Sequence, residues 1–450
     1  MKDLTNGRIS TQILFFSLPM LLGNVFQQLY NVVDSVVVGN FIGKEALAAV
    51  GASFPVIFVL TSFFMGISIG ISVLISHYYG AKEGENVKRG IDVMLGFSAI
   101  AGIIATILGT VFTRQIFSLL NTPPNITEEA IGYFRVYSLG MLFFFGYNGI
   151  SAILRGLGDS KTPLYFLIVS TVLNIILDIT FVVKFGWGVK GVAIATIISQ
   201  FVSVSTMLVY LQFRHPVMKL RIRSYLFDLD IFKRSIKIGL PTGIQQTFVS
   251  IGGMALLRIV NEFGSDVAAS YAVANRLDSF AMMPAMNFSM ALSSFVGQNL
   301  GARKYDRASK GLYVTMAMAA VISTFVTLLF WFFGDKLILI FTRDMGVIKP
   351  GLAYLRIVGS CYLLFSTMFC FTGFLRGAGD TFIPMIISIF SLWILRIPAA
   401  YLLSRPALGL GPKGIWLGIP VGWFFGAIAS FIYFKKAKWK DRSLNIHHRN

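Results

Sequence analysis

From Ser53 to Ser76 the chain passes through 24 residues without a charge, and runs of this kind recur from one end of the sequence to the other. About 20 apolar residues in a row suffice to cross a bilayer as a helix. Only 13% of the 450 residues are charged, far below the rough quarter usual for soluble domains. The chain is therefore expected to be an all-α polytopic membrane protein without a soluble domain. Hydropathy and turn signals predict twelve spans, at 13–39, 48–77, 91–114, 131–154, 163–184, 189–213, 235–261, 267–298, 311–334, 352–375, 382–403 and 413–434. The first run is too long for a cleavable signal peptide and no small-residue cleavage site follows it. Cys361 and Cys370 share one apolar run and read as packing residues.

The net charge of +19 raises the question of nucleic acid. Its placement answers it. With the N-terminus taken as cytoplasmic, 25 Lys and Arg fall in cytoplasmic segments and 9 in outer loops. That is the positive-inside pattern of a multi-pass protein of the cell membrane with both termini cytoplasmic. The basic loops are expected to meet anionic lipid, and no nucleic-acid partner is expected.

The chain repeats itself. Ala152–Pro163 reads AILRGLGDSKTP, and Gly373–Pro384, 221 residues later, reads GFLRGAGDTFIP. Gly80-Ala81, Gly90 and Tyr133-x-Arg135 return at the same offset, and Leu18-Pro19 returns as Leu240-Pro241. This predicts two six-helix bundles, at 1–213 and 235–450, joined by the basic linker 214–234. An even number of helices separates equivalent positions. The bundles should thus be parallel repeats, related by an axis along the membrane normal, with a central cleft between them.

The halves differ in polar content. Span one carries Asn24, Gln27, Gln28, Asn31 and Asp34 at steps that form one stripe on a helix. An aspartate there costs about 2.5–3.5 kcal/mol on insertion scales. Asp178 lies in span five with Thr171 and Asn174 on its face, and span six offers Thr196 and Gln200. Counted in from the span ends, Asp34, Asp178 and Thr196 all lie roughly 8–10 Å below the outer surface of the apolar core. The second half has no acid at the positions that match Asp34 and Asp178. Two carboxylates brought together in a low dielectric do not both ionise freely, so such a pair can take up and release a proton. With Asn174, Thr196 and backbone carbonyls it also offers oxygen ligands to a hard cation such as Na⁺. The plainer alternative is that both acids only hydrogen-bond across helices.

Other candidates are Gln27, Asn31, Gln200, Arg276, Asp278, Met282 and Met286, as the lining of a substrate cavity. Arg276 and Asp278 are expected to pair with each other or with the opposite half. Met254, Met282, Met283, Met286 and Met290 either line a promiscuous apolar pocket or simply pack. Arg258 and Arg396 are expected to snorkel or to balance the acids. The turns Arg155–Asp159 and Arg376–Asp380 lack the strand and the lysine of a phosphate loop, so Asp159 and Asp380 read as structural. The four histidines lie near span ends or in loops, and no catalytic or metal-ligand constellation is visible, so neither enzyme nor cofactor is expected.

These residues resemble a known family. Twelve spans in two parallel halves, LP near the start of each half, RGxGD after spans four and ten, and YNxxDxxxVG in span one are similar to the multidrug and toxic compound extrusion (MATE) transporters, over essentially the whole chain. Within that family the chain looks most like the prokaryotic DinF-like branch. Asp34, Asn174, Asp178 and Thr196 match that branch's cation site. The NorM-like branch uses acids in spans seven and ten, where this chain has only Glu262, at an edge. The resemblance implies a monomeric secondary antiporter that exports small organic compounds, often cationic or amphipathic, while H⁺ or Na⁺ enters. A flippase for lipid-linked precursors is the alternative, and a receptor or membrane enzyme a remoter one.

Overall fold

We describe a computed structural model of the chain, which covers residues 3–120, 122–214, 227–437 and 439. Most of the expected linker 214–234, and the basic tail beyond 439, lie outside the described residues. No strand occurs among the described residues. In order the helices are α1 (Ile9–Phe41), α2 (Lys44–Gly80), α3 (Gly84–Val111), α4 (Thr113–Leu119), α5 (Pro124–Leu139), α6 (Met141–Gly156), α7 (Lys161–Asp178) and α8 (Gly188–Arg214). Then follow α9 (Leu229–Asn261), α10 (Ser265–Gly301), α11 (Tyr305–Leu339), α12 (Met345–Gly359), α13 (Tyr362–Gly377), α14 (Phe382–Phe390), α15 (Ile397–Leu403) and α16 (Pro412–Lys436). Two π-helical segments interrupt this order, Ile179–Lys184 after α7 and Ser391–Arg396 between α14 and α15.

Each of the twelve expected spans falls on one of these helices or on a run of them. Nine helices among the described residues are long and apolar enough to cross a membrane, and two bent pairs raise the number to 11. The pairs correct two expectations. Spans 131–154 and 352–375 are each two helices, α5 with α6 bent by 50° and α12 with α13 bent by 49°. The breaks fall at Gly140 and at Ser360-Cys361, one repeat apart. The remaining helix, α10, is 37 residues long, but Asp266, Arg276, Asp278 and its serines and asparagines make it less apolar.

The chain divides into two compact units, Leu18–Leu240 in one, and Asp3–Ser17 with the chain from Pro241 in the other. The divisions fall beside Pro19 in α1 and at Pro241 in α9, the two copies of the LP motif. The first residues of the chain are thus built into the second unit. There Leu4 is fully buried. Its N–H donates to Gln298 Oε1 at 3.0 Å, and its carbonyl accepts from Asn299 Nδ2 at 3.2 Å. Lys304 Nζ donates to the Thr5 carbonyl at 2.9 Å, and Arg307 to the Asn6 carbonyl at 2.9 Å.

Lipid-facing and core-facing stripes explain how each helix is turned. Along α1 from Leu18 to Val36 the exposed apolar residues are Leu18, Leu22, Leu29, Val32 and Val36, whose steps of three, four and seven make one stripe. On α7 they are Tyr165, Val169, Val172 and Ile176. Hydrocarbon is as apolar as leucine, so helices associate by close packing, often over small residues. In the first unit a Cβ on Gly156 would come within 2.8 Å of the Ser72 carbonyl oxygen. In the second, a Cβ on Gly377 would come within 2.5 Å of the Ser293 carbonyl oxygen, the same contact one repeat later. The core of the second unit is aromatic. Trp416 is fully buried, stacked on Tyr271 at 5.6 Å and edge-on to Tyr354 at 5.1 Å.

Candidate functional site

The stripes that face lipid set the position of the acids. Asp34 lies opposite the apolar stripe of α1, and Asn174 and Asp178 lie opposite that of α7. Lipid contact on one face therefore turns all three into the first unit. Asp34 is 6% exposed, Asn174 and Asp178 are 0% exposed, and Thr196 on α8 is 2% exposed. Asn174 ties the acids together. With its side-chain amide oriented so that the nitrogen faces the two carboxylates, it donates to Asp34 Oδ1 at 3.1 Å and to Asp178 Oδ2 at 3.2 Å. The two carboxylate oxygens are thus no further apart than these two bonds laid end to end. Asp178 Oδ1 is buried and has no hydrogen-bond partner among the described residues.

The surroundings are apolar and aromatic. Val37, Val38, Ala46, Val50, Val182, Val189, Val192 and Ala193 form a buried cluster with Tyr133 on this side of the unit. Tyr133 and Tyr137 stack at 5.9 Å, and both lie within the electrostatic reach of Asp34. Asp178 is the last residue of α7, and the π segment Ile179–Lys184 follows it directly. A π turn widens the helix by one residue, a device common at functional sites.

Thr196 is drawn into the site differently from the expectation. It accepts a hydrogen bond from the Tyr30 hydroxyl at 2.8 Å, and no bond joins it to either acid. Tyr30 is one turn before Asp34. The polar stripe was visible in the sequence, but its tyrosine was not singled out, because tyrosine is common in spans. In the sequence Tyr133 stands out only as part of the repeat.

The other expected residues separate. Gln27 and Gln200 line a small cavity of about 40 Å³ in the first unit, with Tyr30, Ser170 and Thr171. Met282 and Met286 line a larger one of about 220 Å³ in the second unit. Asn31 is half-buried and lines neither. Arg276 and Asp278 do not pair. Two residues apart on α10, they point to different sides, Arg276 exposed and Asp278 buried. Asp278 instead accepts from the Tyr354 hydroxyl at 3.1 Å and from the Tyr362 hydroxyl, and it lines neither cavity. Tyr354 is the repeat of Tyr133, so an acid lies near the same tyrosine in both units but comes from a different helix. Asp159 accepts from the backbone N–H of Lys161 at 3.0 Å and of Thr162 at 3.1 Å. Asp380 accepts from the Tyr433 hydroxyl at 2.5 Å, so both turn acids hold helix ends. No group of three or more His, Cys, Asp or Glu comes together among the described residues. A hard cation here would rely on the two carboxylates plus neutral oxygens, and the unpartnered Asp178 Oδ1 fits such use.

The MatE family model matches twice, over residues 19–180 and 241–402, once per half. The Bacillus subtilis protein "Probable multidrug resistance protein YoeA" is 33% identical over 436 residues, covering 95% of this chain and 94% of that one. "Probable multidrug resistance protein NorM" of Thermotoga maritima is 28% identical, covering 97% and 94%. A solved structure, the outward-facing conformation of a multidrug resistance MATE family transporter of the MOP superfamily, superposes with a TM-score of 0.90. It is 26% identical and covers 100% of this chain and 99% of that one.

Proposed function

The chain belongs to the MATE family of transporters, and from that premise we propose that it is a secondary antiporter. It exports organic compounds, often cationic or amphipathic, from the cytoplasm in exchange for H⁺ or Na⁺. Asp34 and Asp178 take the coupling ion, Asn174 holds them together, and Thr196 orients Tyr30 beside them. The protein acts as a monomer in the cell membrane, with cytoplasmic termini and basic loops against anionic lipid.

One observation carries this reading: two buried carboxylates share a single amide donor in an apolar core. Buried charge of this kind is expensive, and intramembrane acids usually mark ion or proton paths. A proton or Na⁺ removes one negative charge from the pair and changes how α1, α7 and α8 pack. Substrate and ion must then favour different states of this packing for their fluxes to couple.

The test is transport by purified protein in liposomes, with an imposed proton or sodium gradient and a fluorescent organic cation as substrate. Wild type is expected to move the dye with one of the two gradients. D34N should elute as a folded protein and transport no more than empty liposomes. Dye movement at the wild-type rate in D34N would falsify the assignment.

A further inference from the structure

The larger cavity is the electrical opposite of the acid site. Two arginines reach it, Arg376 from α13 and Arg396 from the end of the π segment Ser391–Arg396, and no carboxylate lines it. Arg396 Nε is buried without a hydrogen-bond partner among the described residues. None of the ion pairs among those residues includes either arginine. Asp278 is the acid that Arg396 feels, but its oxygens are taken by the Tyr354 and Tyr362 hydroxyls.

The expectation that Arg396 snorkels or balances the acids does not account for this position. Buried charges persist when paired, and here none of the described residues supplies an ion-pair partner. The repeat sharpens the point. Arg376 has a counterpart in the first half, Arg155. The position one repeat before Arg396 is Ile175, next to Asn174. The second unit therefore adds a cation on the very span where the first carries its acid.

The rest of the wall selects the ligand's body. Phe365 and Trp423 meet at 5.2 Å and present aromatic surface, and Met282 and Met286 add adaptable apolar contact. Gln246 lines the cavity and is solvent-exposed, while Gln245 is engaged with Ser388 at 2.6 Å. Mostly apolar walls with a few convergent charged groups are the usual make-up of a small-molecule site. A guanidinium offers a fork of N–H donors matched to carboxylate and phosphate oxygens.

We propose that the cavity of the second unit binds an amphipathic organic anion, a flat apolar body carrying a carboxylate or phosphate group that docks on Arg396 and Arg376. The source of such a group is either a soluble compound or a lipid headgroup. The proposal concerns equilibrium binding, so it stands or falls apart from the coupling ion and from Asp34.

The experiment is calorimetric titration of the full-length protein in phosphatidylcholine nanodiscs. The probes are 1-naphthyl phosphate and 1-naphthylmethylamine, the same ring with opposite charge. The phosphate is expected to bind and the amine to bind far more weakly. R396Q should weaken phosphate binding by about tenfold or more, and R396K, which keeps the charge but loses the fork, should fall between R396Q and the parent. Q246E leaves both arginines in place and adds a carboxylate at the cavity, so it should weaken phosphate binding even if R396Q fails to fold. Nanodiscs containing phosphatidylglycerol separate the sources. Loss of probe binding there assigns the site to a lipid headgroup, and unchanged binding assigns it to a soluble anion. The proposal is overturned if the amine binds as tightly as the phosphate. It is also overturned if Q246E and a folded R396Q both leave the affinity within about twofold of wild type.

Discussion

A single amide decides how the two acids share their space. Asn174 donates to both, so replacing it with leucine leaves two buried carboxylates without their common donor. Lost hydrogen bonds to a charged group cost about 1.5–3 kcal/mol. N174L should therefore unfold at a lower temperature than the parent in the same detergent. An unchanged midpoint would show that the amide does not hold the pair. A second test lies in the turns after α6 and α13. Gly158 and Gly379 both have φ of 81°, a left-handed conformation. The Gly158 N–H bonds to the Arg155 carbonyl at 3.1 Å, and the Asp159 N–H to the Leu154 carbonyl at 2.8 Å. A Cβ there costs about 1–2 kcal/mol. G158A and G379A should each lower the thermal midpoint, and the double variant should show roughly the sum, since the sites are in different units. Much at this scale was legible. Charges inside apolar runs announce themselves, so Asp34, Asp178 and Asn174 could be grouped by spacing and depth. The partner of Thr196 could not, because a hydroxyl has no charge to betray where it points. Arg276 and Asp278 misled because nearness in sequence on a helix is not nearness in space.

Hydropathy locates helices but is blind to their direction. It placed the spans, yet the bends within α5–α6 and α12–α13 escaped it, since apolar content does not change across Gly140 or Cys361. It also passed over the π segments, which alter hydrogen bonding and leave composition unchanged. What it cannot weigh at all is how near two helices come. Gly377 of α13 rests against the Ser293 carbonyl of α10, with no room for a Cβ. A large side chain there would have to push the two helices apart. G377L is accordingly expected to abolish recovery of monodisperse protein, and G156L to do the same for α2 and α6. Normal yields and elution profiles for both would mean that the packing is softer than these contacts imply.

The duplication, seen in the sequence as a 221-residue offset, returns in three dimensions in paired bends, paired glycine contacts and paired backbone angles. Lys82 and Arg303, one repeat apart, share the left-handed conformation with φ of 62° and 59°. Against that shared scaffold the charges differ: the second unit has no acid at the positions that match Asp34 and Asp178, and the first has no arginine at the position that matches Arg396. The offset could not reveal that Asp3–Ser17 is built into the second unit, because that depends on contacts nearly three hundred residues apart in the chain. The arrangement has a bearing on biosynthesis. Leu4 bonds to Gln298, 294 residues later. At about 5–20 residues per second, its partner emerges on the order of 15–60 seconds after it. For that interval the start of the chain has no fixed place, even when the first unit is complete. A chain stopped after Leu240 should accordingly be cut within Asp3–Gln12 by protease added to the side that bears the N-terminus, whereas the full-length protein should resist. Translation order thus leaves the first residues made among the last to be fastened.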